Sequence, residues 1–243
     1  MSLHTTATAA IVAASAIALS APAIADGEEH LDVWLSLGGD GRLVVGGITE
    51  PDAGEPEFFP GLRVFEGELG EDPAFPFSGD EPGFEMEDGT VAPGTPFTFL
   101  LDGPVTRWNG AGYEPTTARL LLAFGPSSVV SGDGFTSGFS FNADAAGGFH
   151  NHLELTLLGD GGADPEPGLY LVPMKVAILG TDSGTETFFW TLNLGMDEAM
   201  HEAATEWVGA NRVAEPCRAD VDGDGAVGFG DLLEVLSAWG ACL

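Results

Sequence analysis

Positive charge is scarce in this chain. Its 243 residues hold seven Lys and Arg against 38 Asp and Glu, a formal net charge of −31. A field of that sign repels nucleic acid and anionic membranes and draws in cations, which sets nucleic-acid binding aside. Lys175 is the one lysine, and Cys217 and Cys242 are the two cysteines, so Lys- and Cys-based nucleophilic catalysis have little material. Long apolar runs are missing too. Ala9 to Ala21 is too short to span a bilayer and nothing later is longer, so no membrane span is expected. "GFTSGFS" contains no Gly-x-Ser-x-Gly elbow. "HEAAT" (201–205) opens like a zincin helix but carries Thr205 where the second histidine must stand. Carboxylates are so abundant that no pair marks a glycosidase.

What is present starts with a folded composition. Hydrophobic residues make up 44 % of the chain, too many for a disordered acidic tail. The apolar run near the N-terminus is followed by Ala23-Ile24-Ala25, a small-x-small site. Residues 1–25 therefore read as a secretory signal peptide, with Asp26 as the mature start and a secreted or cell-surface destination. In an exported protein, the even cysteine pair suggests a disulfide between Cys217 and Cys242. Closing that loop is worth roughly 3–4 kcal/mol on the chain-entropy model.

Between residues 31 and 194 the signals are β. "LDVWLSL" alternates, with Leu31, Val33, Leu35 and Leu37 on one face and Asp32, Trp34 and Ser36 on the other. "GGDG" turns the chain and "RLVVGGI" returns it as a hairpin. Further strands are expected in "GLRVFEGEL", "FTFLLDG", "ARLLLAFG", "GFSFNA", "FHNHLELTLLG", "GLYLVPMKVAILG" and "ETFFWTLNLG", separated by Gly- and Pro-rich connectors. In the last of these, Trp190 shares a face with Phe188, Leu192 and Leu194 and reads as core. Many short strands without intervening helices predict a mainly β, antiparallel sandwich or jelly-roll-like domain over 26–209. One late helix is expected in "MDEAMHEAATEWVG", with acids in its first turn and Gly209 as its stop. Residues 210–216 then read as a linker and 217–243 as a small calcium loop–helix module.

That module rests on "DVDGDGAVGFGD". An EF-hand loop needs oxygen donors at positions 1, 3 and 5, glycine at 6, a backbone carbonyl at 7 and a carboxylate at 12. Counted from Asp220, the chain supplies Asp220, Asp222, Asp224, Gly225, the Ala226 carbonyl and Asp231 in register. Calcium is the cofactor this predicts. Behind the loop, Leu232, Leu233, Val235, Leu236 and Trp239 fall on one helical face and are expected to form a miniature core.

"CRADVDGDGAVGFGDLLEVLSAWGAC" resembles one half of a dockerin, particularly the short cysteine-bracketed tails of exported bacterial proteins. The resemblance covers about residues 214–243. It implies calcium binding and anchoring to a cohesin-like or cell-surface protein receptor. A full dockerin has two loop–helix repeats and this chain has one; positions 10 and 11 are Phe229 and Gly230 instead of the familiar hydroxyl pair. "GGFHNHLELTLLG" and "PGLYLVPMKV" resemble a group of exported bacterial proteins with β-rich bodies, a likeness that implies no activity.

Two further sites are suggested in the body. On a regular strand His150, His152 and Glu154 project from one face, two imidazoles and a carboxylate of the kind a divalent transition metal takes. "HNHLE" is similar to the first cupin motif, but the glutamate spacing differs and the later histidine motif is missing. His30 or His201 would supply a third imidazole if the fold brought it close. The alternative is a pair of hydrogen-bonded surface histidines opposite Phe149, Leu153, Leu155 and Leu157. Trp34, Trp108 and Tyr113 are candidate stacking surfaces for a polysaccharide. The expected function is a non-catalytic exported protein, its β-domain anchored in an extracellular assembly by the calcium-loaded tail. The alternative is a body that binds or cleaves polysaccharide, or that holds a metal through His150 and His152.

Overall fold

The computed structural model describes residues 31–49 and 56–213, together with the separate positions Phe229, Leu232, Leu233 and Leu236. The expected signal peptide, His30, the calcium donors Asp220, Asp222, Asp224, Ala226 and Asp231, and the pair Cys217 and Cys242 lie outside the described residues.

The body is mainly β. Its first strands are β1 (Leu31–Leu37), β2 (Leu43–Thr49), β3 (Glu57–Pro60), β4 (Val64–Glu68), β5 (Ser78–Gly79), β6 (Phe84–Met86), β7 (Pro96–Leu101) and β8 (Thr106–Trp108). They are followed by β9 (Tyr113–Pro115), β10 (Arg119–Phe124), β11 (Ser127–Val130), β12 (Thr136–Asn142), β13 (Phe149–Asn151), β14 (Glu154–Leu158), β15 (Gly168–Ile178) and β16 (Phe188–Leu194). The helix α1 (Glu198–Asn211) closes the body.

The strands of the described residues make three sheets. One runs β13-β6-β1-β2-β3, a second β11-β10-β14-β5, and the third β12-β7-β15-β16-β4 with β8 and β9 attached through β15. All three contribute to one buried cluster: Val33 and Leu35 from the first, Leu120, Leu122, Leu155 and Leu157 from the second, Phe97, Val172, Phe188 and Trp190 from the third. Phe84 of β6 packs against Phe99 at 4.6 Å and Trp190 at 5.5 Å, joining the first sheet to the third. Trp190, Phe188 and Leu192 are fully buried, as their shared face predicts.

Most pairings are antiparallel, and the β1–β2 hairpin pairs Leu37 with Leu43 across the expected turn. Gly41 sits in that turn at φ +80°, the left-handed region that suits glycine. Two joins depart from the all-antiparallel expectation: β6 lies parallel to β1, and β4 parallel to β16. Both need long crossovers, which strand-by-strand periodicity does not register. The segment "FHNHLELTLLG" also departs, for it is two strands in two different sheets, β13 beside β6 and β14 beside β10, with His152 and Leu153 at the joint.

The helix begins where Asp197 caps it, its side chain accepting from Met200 N at 3.1 Å. It runs past Gly209 to Asn211. Gly209 is not in the left-handed conformation that ends helices. Val208 is fully buried against the sheet and Trp207 packs on Trp108 and Tyr113, so tertiary contacts carry the last turn through the glycine.

Candidate metal centre

In β1, Val33 and Leu35 face the core, so Asp32 points to the opposite side. It is nevertheless buried, because "DEPG" (80–83) folds over it on the way into β6. The parallel join makes this cover: Val33 N donates to Gly83 O at 3.0 Å, and Gly83 N donates to Asp32 Oδ1 at 2.7 Å. On the far side of β6, β13 places His150 opposite Glu85. The chain then turns out of the first sheet, and that corner sets the His152 ring over Gly83. A Cβ at Gly83 would lie 2.7 Å from His152 Cε1 and 2.9 Å from Asp32 Oδ1, so a larger residue there would have to push the imidazole or the carboxylate aside.

Three donor atoms converge as a result. His150 Nε2 lies 2.8 Å from His152 Nε2 and 3.1 Å from Asp32 Oδ2, and His152 Nε2 lies 3.8 Å from the same oxygen. The other ring nitrogen of His152, Nδ1, faces Glu81 Oε1 at 3.2 Å and Asp80 O at 3.3 Å. Both of those atoms accept, so Nδ1 carries a proton, and Nε2 is turned toward His150 Nε2 and Asp32 Oδ2. Glu81 is itself held, its Oε2 accepting from Gly83 N at 3.1 Å. The Asp32 side chain is 7 % exposed, while His150 and His152 are 44 % and 32 % exposed. The cluster is thus walled on its carboxylate side and open to solvent on its imidazole side.

Glu154, expected beside the two histidines, is on β14 in the second sheet and is not among the donors that gather here; Asp32 is. His201 belongs to a different cluster, with Glu68 and Glu198. It is 1 % exposed, its Nε2 against Thr191 O at 2.8 Å and its Nδ1 against Glu68 Oε1 at 3.0 Å. Both partners only accept, so the ring carries both protons. Burial pulls its pKa down, but the hydrogen bond to Glu68, the charge of Glu66 and the Thr191 carbonyl outweigh that and raise it above the ordinary histidine value. Together with a Thr205–Thr191 hydroxyl contact at 2.8 Å, this fastens α1 to β16 and β4.

The aromatic candidates are engaged in packing. Trp34 meets Phe58 edge-on at 5.0 Å. Trp108 and Tyr113 form a three-ring cluster with Trp207 of α1, all pairs within 6 Å. Burial, then the charge of Glu66, push the Tyr113 hydroxyl pKa well up. In the C-terminal segment, Phe229, Leu232, Leu233 and Leu236 are helical and each at least half exposed, where the spacing predicted a buried miniature core for the leucines.

Asp32 and Glu81 are what sequence reasoning missed. Asp32 is far from the histidines along the chain, and it sits in β1 as an ordinary polar residue on the face away from the core. No family model matches the chain, and no curated protein matches it.

Proposed function

We propose that this is a non-catalytic exported protein whose β-body, a mostly antiparallel sandwich or jelly roll in architecture, is displayed in an extracellular or cell-surface assembly through a calcium-binding, dockerin-like tail. The observation that carries this reading is the apolar row in the tail. Phe229, Leu232, Leu233 and Leu236 stand at i, i+3, i+4 and i+7, so they share one helical face, and all four are solvent-exposed. Exposed apolar residues in register on a helix offer an i/i+3/i+4/i+7 anchor set for an apolar groove. Phe229 occupies loop position 10, where the dockerins that this segment resembles carry a partner-contacting hydroxyl. The receptor this face suits is therefore a protein with an apolar groove and not a hydroxyl-reading one.

Two further features support the reading. The loop from Asp220 to Asp231 has a donor at every position that calcium requires. The chain also leaves the body from a well-rooted helix: Ala204 and Val208 are fully buried, His201 is bonded on both nitrogens, and Trp207 packs on Trp108 and Tyr113. Load on the tail would reach the sheet through that helix.

The test is retention of a receptor from the native extracellular fraction by the immobilised mature chain. A single partner held in calcium, released by chelator and lost with the Phe229→Asp/Leu233→Asp double variant is the expected result. Retention indifferent to both chelator and the double variant, or no partner in calcium, overturns the reading.

A further inference from the structure

We propose that Asp32 Oδ2, His150 Nε2 and His152 Nε2 bind a divalent transition-metal ion, with zinc as the best-fitting class, and leave at least one coordination position open to solvent.

The donor geometry comes first. A circle through the three atoms has a radius of about 1.9 Å, just inside the roughly 2.0–2.2 Å that zinc keeps to imidazole nitrogen and carboxylate oxygen. An ion a fraction of an ångström out of the donor plane would reach all three at normal bond lengths. Two imidazoles and one carboxylate favour a borderline ion; calcium and magnesium prefer sites made only of oxygen. The same argument keeps this site apart from the calcium loop of the tail.

The surroundings of the donors are the second ground. A ligating histidine almost always donates its other N–H to a carboxylate or carbonyl, which fixes the tautomer and aims the lone pair. His152 does this through Nδ1 to Glu81 and to the Asp80 carbonyl. Asp32 is oriented in the same way, since Gly83 N occupies Oδ1 and leaves Oδ2 for the centre. These supports come from one short segment, residues 80–83, which reaches the site only because β6 runs parallel to β1. A surface histidine pair would need neither the buried aspartate nor the glycine on which His152 rests.

Access is the third. The carboxylate side is closed and the imidazole side faces solvent, so an ion can enter without opening the core. The chain's charge of −31 raises the local concentration of cations at such an entrance. Three protein ligands with an accessible fourth position are the arrangement of zinc sites that exchange water or a small ligand. The Glu68–Glu198–His201 cluster is excluded by the same criteria, because both nitrogens of His201 already face acceptors and the ring is buried.

Zinc titration of the chelator-treated mature chain, in saturating calcium to occupy the tail, tests the proposal. One equivalent should bind and raise the melting temperature. His150→Ala/His152→Ala should abolish that equivalent, Glu81→Gln should weaken it by roughly 10–100-fold, and Glu154→Gln should leave it unchanged. Because alanine variants can disturb the fold, cobalt(II) on the unaltered chain gives an independent readout. Intense visible d–d bands that zinc displaces are expected of a nitrogen-ligated, four-coordinate site. Absence of zinc binding, or binding that survives the double histidine variant, overturns the proposal, as does a pale six-coordinate cobalt spectrum.

Discussion

Among the described residues the body holds two clusters of histidine and carboxylate, and they use the same side chains to opposite ends. At His201 both ring nitrogens are met by acceptors, Thr191 O and Glu68 Oε1, so a proton fills the space between base and carboxylate. At His150 and His152 the acceptors Glu81 and Asp80 O stand behind one ring, and the Nε2 atoms turn toward each other and toward Asp32. Where the acceptors lie decides the outcome. Acceptors on both edges of an imidazole make a clip that holds a helix; acceptors behind it leave a lone pair for a cation.

The largest effect expected from breaking this contrast is at Gly83. Gly83→Ala places a methyl against His152 and Asp32. It should cost about 1–3 kcal/mol through overpacking, measured by denaturant unfolding, and should remove zinc binding while leaving α1 protected. Next is His201→Ala, which leaves the Thr191 carbonyl and Glu68 without their buried partner. A loss of about 1–3 kcal/mol is expected, with faster amide exchange in α1 and an unchanged zinc titration. Each variant should damage its own cluster and spare the other.

A smaller effect comes from pH. The folded-state pKa of His201 is raised, so its contribution is fully present below the unfolded histidine value and is lost as pH rises through the folded one. Glu198 adds to this. Its pKa is raised first by burial, with the His201 charge pulling it down and Glu66, Glu68 and Glu202 pushing it up, so its protonated form is also the one that favours the folded state. Exchange protection in α1 should therefore fall as pH rises, through the raised Glu198 carboxyl above the ordinary carboxylate range and then through the raised His201 imidazole above the ordinary histidine value, while that of β1 and β6 holds. The smallest effect is Glu154→Gln, expected within about 0.5 kcal/mol of the unaltered chain.

The same contrast shows what was legible in the residues alone. Alternation in β1 and β16 placed Val33, Leu35, Phe188, Trp190 and Leu192 in the core, but it did not show that the other face of β16 is buried as well, with Phe189 packed against Val208 of α1. The late helix was legible from its cap, but not its end, since burial of Val208 and packing of Trp207 carry the last turn through Gly209. "HNHLE" marked the right two histidines and the wrong carboxylate. A regular strand would have kept Glu154 on their face; the chain instead changes sheets at His152 and Leu153. The aspartate that replaces it depends on β6, a three-residue strand inside a Gly- and Pro-rich connector, pairing in parallel with a strand some fifty residues earlier. Contacts of that range leave no local pattern.

The most direct measurement is an anomalous difference map at the zinc edge from crystals of the protein grown with zinc. One peak about 2.0–2.2 Å from His150 Nε2, His152 Nε2 and Asp32 Oδ2, with none at Glu68, Glu198 and His201, is the result expected. Zinc at the His201 cluster, or a strong map with no density between the two histidines, would contradict the account.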